Sequence, residues 1–214
     1  MSIIVGVAAE PASIAPALDR RVRRSRSSLI RAAIDLVSDR GTAAVPLSEI
    51  AEVADVSRQV VYQQFGNRDV LLLEAALDLL RRELLPGLSD LPDSPDLRAA
   101  AVAVVAHFAD HRPFYRAILT SSCAFGVNQA LTRFFLPHNR HAVRLLWGQD
   151  LAPQEIEDLS AFLTGGWATL INTWVVEGDD PLDIEGFADR LVRTVSAVIG
   201  AIGPSIAAGK EHGG

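Results

Sequence analysis

Apolar residues recur every three or four positions through most of this 214-residue chain, and that period constrains its fold more than any other feature. In "RSSLIRAAIDLVSDRG", Leu29, Ile30, Ala33, Ile34 and Val37 share one stripe, and Gly41 follows as a stop. "PLSEIAEVA" reads as a two-turn helix opening at Pro46, with Ile50, Val53 and Ala54 as its buried stripe. "RQVVYQQF" is a third short helix, with Ser57 placed to cap it. Its Val60 and Val61 are weak helix formers, so packing must hold it. Asn67 caps a fourth helix over roughly 68–85, and the proline-rich loop "LPDSPD" follows. Asp96 or Ser94 then begins "LRAAAVAVVAHFADH", and Pro113 starts "PFYRAILTSS". Residues 126–148 are helical with a kink or break at Pro137. Two long segments close the pattern, one bounded by Pro153 and Gly178, the other capped by Asp183 and running to about 203. No strand alternation with hairpin turns and no internal repeat appears. The chain is expected to be all-α.

With 49% hydrophobic residues, a core is readily filled. No apolar run reaches the roughly 18 residues that span a bilayer, so no membrane segment is expected. The opening residues 1–19 hold an apolar patch with no basic residue before it, which reads as a flexible tail rather than a secretory signal. Residues 205–214 read as a second flexible tail. The lone cysteine, Cys123, excludes an intrachain disulfide framework and suits a reducing, cytoplasmic compartment. The net charge of −6 argues against a general nucleic-acid coat protein. That charge is unevenly spread. Residues 1–70 carry nine basic and eight acidic side chains, whereas the rest carry eleven and eighteen. Five arginines fall within "RRVRRSR", residues 20–26. A front segment suited to an anionic partner thus precedes a rear segment that is not.

Two short helices joined by a tight turn, the second polar on one side, form a helix-turn-helix pattern. Ile50, Ala51 and Ala54 of the first can pack against Val56 and Val60 or Val61 of the second, and the small Ala51 permits a close crossing. Asp55 sits in the turn, where a left-handed backbone is usual and Asp is better tolerated than most. Arg58, Gln59, Tyr62 and Gln63 are then left pointing outward. Arginine pairs with guanine, glutamine with adenine, and a tyrosine hydroxyl with a phosphate oxygen. The alternative is a simply solvated polar face.

Residues 24–73 resemble the DNA-binding region of the tetracycline-repressor (TetR) family of bacterial transcription regulators. The likeness runs through "IRAAIDLVSDRG", "LSEIAEVADVS" and "VVYQQFGNRDVLL", and its most specific part is Tyr62-x-x-Phe65 followed by Arg68 and Asp69. The resemblance implies an N-terminal three-helix helix-turn-helix domain over 20–68 and a helical ligand-binding and dimerisation domain over 69–204. It implies that Ser57, Arg58, Gln59 and Val60 open the recognition helix in the major groove, Val60 against a thymine methyl. Tyr62, Gln63 and Arg68 would meet phosphates or base edges, while Phe65 would be core. Three positions depart from the family pattern: Asp55 stands for the turn glycine, Pro46 for a threonine, leaving Ser48 as the nearer hydroxyl, and Arg68 for lysine. Arg24 and its neighbours would be a phosphate- or minor-groove-contacting arm, the plain alternative being charge for solubility. Implied partners are a near-palindromic double-stranded operator and a second copy of the chain through the last two long helices. A small-molecule effector is implied too, with repression relieved by it. An activator or ligand-independent protein with the same head is the alternative.

In the rear segment, Gly165, Gly166 and Ala168 clear one helix face for another helix to approach. Candidate pocket residues are His107, His111, Phe114, Phe125, Phe134, Phe135, Trp147, Trp167, Asn172 and Trp174, about a third of them expected to line a cavity. Such a lining favours an apolar or aromatic ligand. His107 and His111 are spaced as metal ligands on one helix face, and His138 and His141 are three apart, but no third ligand is evident. No metal or cofactor is expected. Cys123 beside His107 or His111 is the nearest thing to a nucleophile; with no nucleophile elbow, phosphate loop or carboxylate pair, the chain does not read as an enzyme.

Overall fold

The computed structural model describes residues 15–89, 96–147 and 151–210, and among them there are ten α-helices and no strand. The helices are α1 (Ala15–Arg40), α2 (Leu47–Val53), α3 (Arg58–Phe65), α4 (Arg68–Leu79), α5 (Leu85–Ser89), α6 (Leu97–Asp110), α7 (Arg112–Leu119), α8 (Ala124–Trp147), α9 (Pro153–Glu177) and α10 (Ile184–Lys210). A π-helical turn, Leu80–Leu84, joins α4 to α5. The expected all-α class is what forms.

Local signals set most boundaries. Ser57 Oγ accepts from Val60 N–H, Asn67 Oδ1 from Val70 N–H and Asp96 Oδ1 from Ala99 N–H. Each supplies an acceptor to a helix start that has no intrahelical partner. Gly66, at φ 73°, ends α3 in a backbone conformation that costs other residues strain. Helix α1 is central: it packs on α2, α3 and α4 at the front and on α7 behind. Behind α7, α8 lies along α9 and α6 along α10. One continuous apolar core runs from Leu29 and Ile50 through Leu71 and Leu72 to Tyr115 and Leu191, all fully buried.

Several expected boundaries and faces shift. Helix α1 begins at Ala15, so residues 15–19 of the expected flexible tail are helical and the arginine run lies within the same helix. Pro16 falls in the first turn, where proline is tolerated, and the arginines after it are good helix formers. Residues 1–14 of the expected N-terminal tail lie outside the described residues, as do 211–214 at the other end, but α10 continues to Lys210. Pro137 sits inside an unbroken α8. Pro46 is the extended N-cap of α2 rather than its first turn. Val53 is 55% exposed, while Ala51 is buried with Ile50. One residue along a helix is a 100° turn, and that carries Val53 off the core face. Contrary to the sequence expectation about apolar runs, α9 is long and apolar enough to cross a membrane by length and composition. Most of its apolar stretch is not buried within the chain, although α9 packs on α6, α7, α8 and α10.

One side chain finishes α9. The guanidinium of Arg112 donates to the carbonyls of Val175 (3.1 Å), Asp179 (3.1 Å) and Gly178 at the C-terminal end, where helix carbonyls lack partners. Arg112→Ala should therefore destabilise the chain by about 1.5–3 kcal/mol in urea unfolding, the range for hydrogen bonds from a charged group. A change below about 0.5 kcal/mol, ordinary for a surface substitution, would show that water replaces the guanidinium without loss.

Candidate functional site

Helix α3 is held at both ends and along one side. At its start, Ser57 caps it and the preceding turn closes with Val56 N–H donating to Ala51 O at 3.0 Å. Asp55 has the left-handed backbone (φ 52°) that its turn position required. At its end, Gly66 N–H returns to Tyr62 O at 2.9 Å and the chain pivots into α4. Val61 is fully buried and Phe65 is 4% exposed. The Arg26 guanidinium lies 4.5 Å from the Phe65 ring centroid and also pairs with Glu74 at 3.0 Å, tying α1, α3 and α4 together. Gln64 turns inward, donating from Nε2 to Ser25 Oγ at 2.8 Å. Its Oε1 is buried without a partner. Arg40 and Glu49 form a two-pronged pair that fixes α2 to the end of α1.

The opposite face of α3 is free. Arg58, Gln59 and Gln63 are exposed, and Tyr62 is 57% exposed despite its ring. Positions 58, 59, 62 and 63 lie within one helix face, so a rigid rod presents three polar side chains and a phenol side by side. Val60 is half-buried and packs toward the core, which leaves only part of it for a base methyl. Around the rod, Arg24 is exposed on α1 and Ser48 half-buried on α2. Arg68 is half-buried in the first turn of α4, 3.4 Å from Asp69.

A sequence profile described as "Bacterial regulatory proteins, tetR family" matches residues 29–75, which span α1 to α4 and this face. Over these residues the chain is similar to the TetR family. It is 40% identical over 55 residues to the HTH-type transcriptional regulator BetI of Rhizobium meliloti (strain 1021), a stretch covering 26% of this chain and 27% of BetI. It is 22% identical over 191 residues to the HTH-type transcriptional regulator YerO of Bacillus subtilis (strain 168), covering 83% of this chain and 65% of YerO. The chain therefore spans less than two thirds of either relative. Among solved structures, the crystal structure of RolR in complex with the ligand resorcinol shares the fold, with a TM-score of 0.58 and 21% identity over 82% of this chain and 89% of that one.

Behind the helix-turn-helix head, a cavity of about 590 Å³ opens among α6, α8 and α9. Phe135, Trp167 and Asn172 line it, as the sequence suggested. The other candidates with described side chains do not. Phe114 is fully buried in the core, and Phe125 is 75% exposed at the start of α8. Phe134 packs against Phe135 and His138 rather than the cavity. Trp174 stacks on Phe187 with centroids 4.4 Å apart and planes 2° from parallel. The side chain of Trp147 lies outside the described residues. Missed in the sequence were Leu131, His138, Ala142 and Leu145, which share the wall with Phe135. Their spacing on α8 is the same three-and-four stripe as Phe135, and that period would have found them. Two side-chain bonds fix the polar edge of the cavity: Asn139 Nδ2 donates to Thr164 Oγ1 at 2.8 Å, and Asn172 Nδ2 to Asn128 Oδ1 at 2.5 Å.

His107 and His111 sit outside the cavity. His107 is buried with its Nε2 2.9 Å from the Tyr115 hydroxyl, and His111 Nε2 is 2.5 Å from Glu83 Oε2. Cys123 Sγ contacts Ser121 Oγ at 3.0 Å and the Ile118 carbonyl. Burial lowers His107 to about 4, with the neighbouring His111 acting in the same direction. In the unfolded chain His107 returns to its ordinary value of about 6.5, so between these limits the unfolded state takes up a proton that the folded state refuses. The stability carried by neutral His107 is complete above pH ~6.5 and is lost as the pH falls toward ~4, by at most about 3 kcal/mol. Urea unfolding at several pH values should show this loss, and His107→Gln should flatten it. An unchanged slope in the variant would assign the acid sensitivity elsewhere.

Proposed function

We propose that this chain is a dimeric, sequence-specific DNA-binding transcription regulator of the cytoplasm, and that it acts as a repressor released from its operator by a small ligand. The observation that carries the reading is the outer face of α3: Arg58, Gln59, Tyr62 and Gln63 stand exposed on a helix whose other side is locked into the core. An α-helix fits the major groove, and these side chains match its donor and acceptor groups. Arg58 and Gln59, at the start of the helix, read base edges. Tyr62 and Gln63 reach phosphate or a base edge, with Arg68, Ser48 and Arg24 along the flanking backbone. Ser57 serves as the cap that orients the helix. The part of Val60 left outside the core meets a base methyl.

Dimerisation is supported by α9. Phe162 is 63% exposed, and Gly165 and Gly166 lie on the same side with nothing but α9's own neighbouring atoms within 4 Å of where a side chain would begin. An exposed ring beside two cleared positions suits a partner helix. We place the interface on α9 and α10 and expect two heads that meet successive major grooves. A cavity of about 590 Å³ is of ligand size, and its apolar and aromatic wall with a few fixed amides suits a small apolar or aromatic molecule. The RolR structure holds an aromatic ligand, resorcinol. Ligand binding changes operator affinity only through a difference in affinity for two dimer shapes. Helix α4, which packs on α1 at the front and on α8 behind, is the element that couples them.

Selection of bound fragments from random duplex DNA tests this directly. The expected product is a near-palindrome whose half-sites lie about 34–36 Å apart, or a multiple of that spacing. Arg58→Ala should then cost about 1–3 kcal/mol and relax the preference at one position of each half-site. Absence of enrichment, or enrichment that Arg58→Ala leaves unchanged, would contradict the reading.

A further inference from the structure

The π-helical turn between α4 and α5 sets Glu83 against the end of α6, where His107 and His111 project from successive turns. One ligand atom from each of the three lies within 4.8 Å of the others. We infer that Glu83, His107 and His111 form a binding site for a divalent first-row transition metal of the zinc type. The inference stands apart from the DNA-binding and effector readings.

Two imidazoles and a carboxylate are a recurring donor set for zinc, with the fourth position left to water. Zinc bonds of about 2.0–2.2 Å put tetrahedral ligand atoms roughly 3.4 Å apart. The present ligand atoms, all within 4.8 Å of one another, lie near that spacing. The second histidine nitrogen is provided for as well. The Tyr115 hydroxyl, buried, engages His107 Nε2 at 2.9 Å and leaves Nδ1 for the metal. An outer partner of this kind fixes the tautomer and aim of a metal-bound histidine. His111 Nε2 and Glu83 Oε2 already share a hydrogen bond at 2.5 Å, and a cation would take the place of the proton between them. Glu83 Oε1 is 3.9 Å from Arg82, too far to compete strongly. π-Helical turns are rare and gather at functional sites; this one gives Glu83 its direction.

The site bridges the helix that leaves the DNA-binding head and the helix that walls the cavity. A bound ion would pin the π-turn to α6 and so stiffen the joint between the two parts.

Titration of the tag-free, full-length protein with Co²⁺, read by its visible d–d bands and by calorimetry, decides the matter. The expected result is one ion per chain, displaced by Zn²⁺. Glu83 is exposed and His111 half-buried, so Glu83→Gln and His111→Ala should keep the fold, as circular dichroism would verify. Each should weaken binding by at least about 10–100-fold, the loss that even outer partners of a metal cause. A His138→Ala, His141→Ala double variant should bind as the wild type does. No Co²⁺ bands in the wild type, binding that survives His111→Ala, or binding lost only in the double variant would overturn the inference.

Discussion

The inward side of α3 is what the rest of the molecule depends on. Val61 and Phe65 anchor an eight-residue helix that could not persist alone, because isolated helices of that length are unstable in water and its valines disfavour the helical state. The Arg26 guanidinium over the Phe65 ring couples that anchor to α1, and its pairing with Glu74 extends the tie to α4. Truncating Phe65 would therefore loosen three helices at once. The polar outer face has meaning only because this inner face leaves it no freedom to turn.

From that anchor the architecture runs backward through α4. The helix begins at the Asn67 cap beside the head and packs on α8, the helix that forms one wall of the cavity. It then passes into the π-turn, where Glu83 faces the histidines of α6. Head, cavity and histidine cluster are thus separate features strung on one continuous element. Helix α4, and α1 through its contact with α7, are the helices that join the rear segment to the head. Arg112 contributes to the same rigidity by closing the C-terminal end of α9 on the start of α7.

The front third of the chain was the more legible. Caps at Ser57 and Asn67 and the left-handed Asp55 follow from local chemistry that a sequence displays, and the buried Phe65 from the family resemblance. Where local rules blur, so did the expectations. Val53 looked buried because it is apolar, but a helix of two turns has too few residues for its stripe to be assigned within one position. Phe125 and Phe114 show the same difficulty in the rear segment: aromatic type says nothing about which of several packed surfaces, or none, a ring will meet. The cavity wall needed the period of α8 rather than residue type, and Phe135 shared that period with His138 and Leu145. Glu83 was invisible for a different reason. Its partners are distant in sequence, and the π-turn that aims it has no sequence signature.

Oxidative footprinting with hydroxyl radicals tests the central claim most directly, since Tyr62 is 57% exposed in the free chain and Phe125, at 75%, lies on α8 away from α3 as an internal reference. With a duplex bound, Tyr62 should lose most of its reactivity while Phe125 keeps its own. A bound duplex that leaves Tyr62 as reactive as before would mean that DNA meets some other surface, and the role given to the outer face of α3 would be wrong.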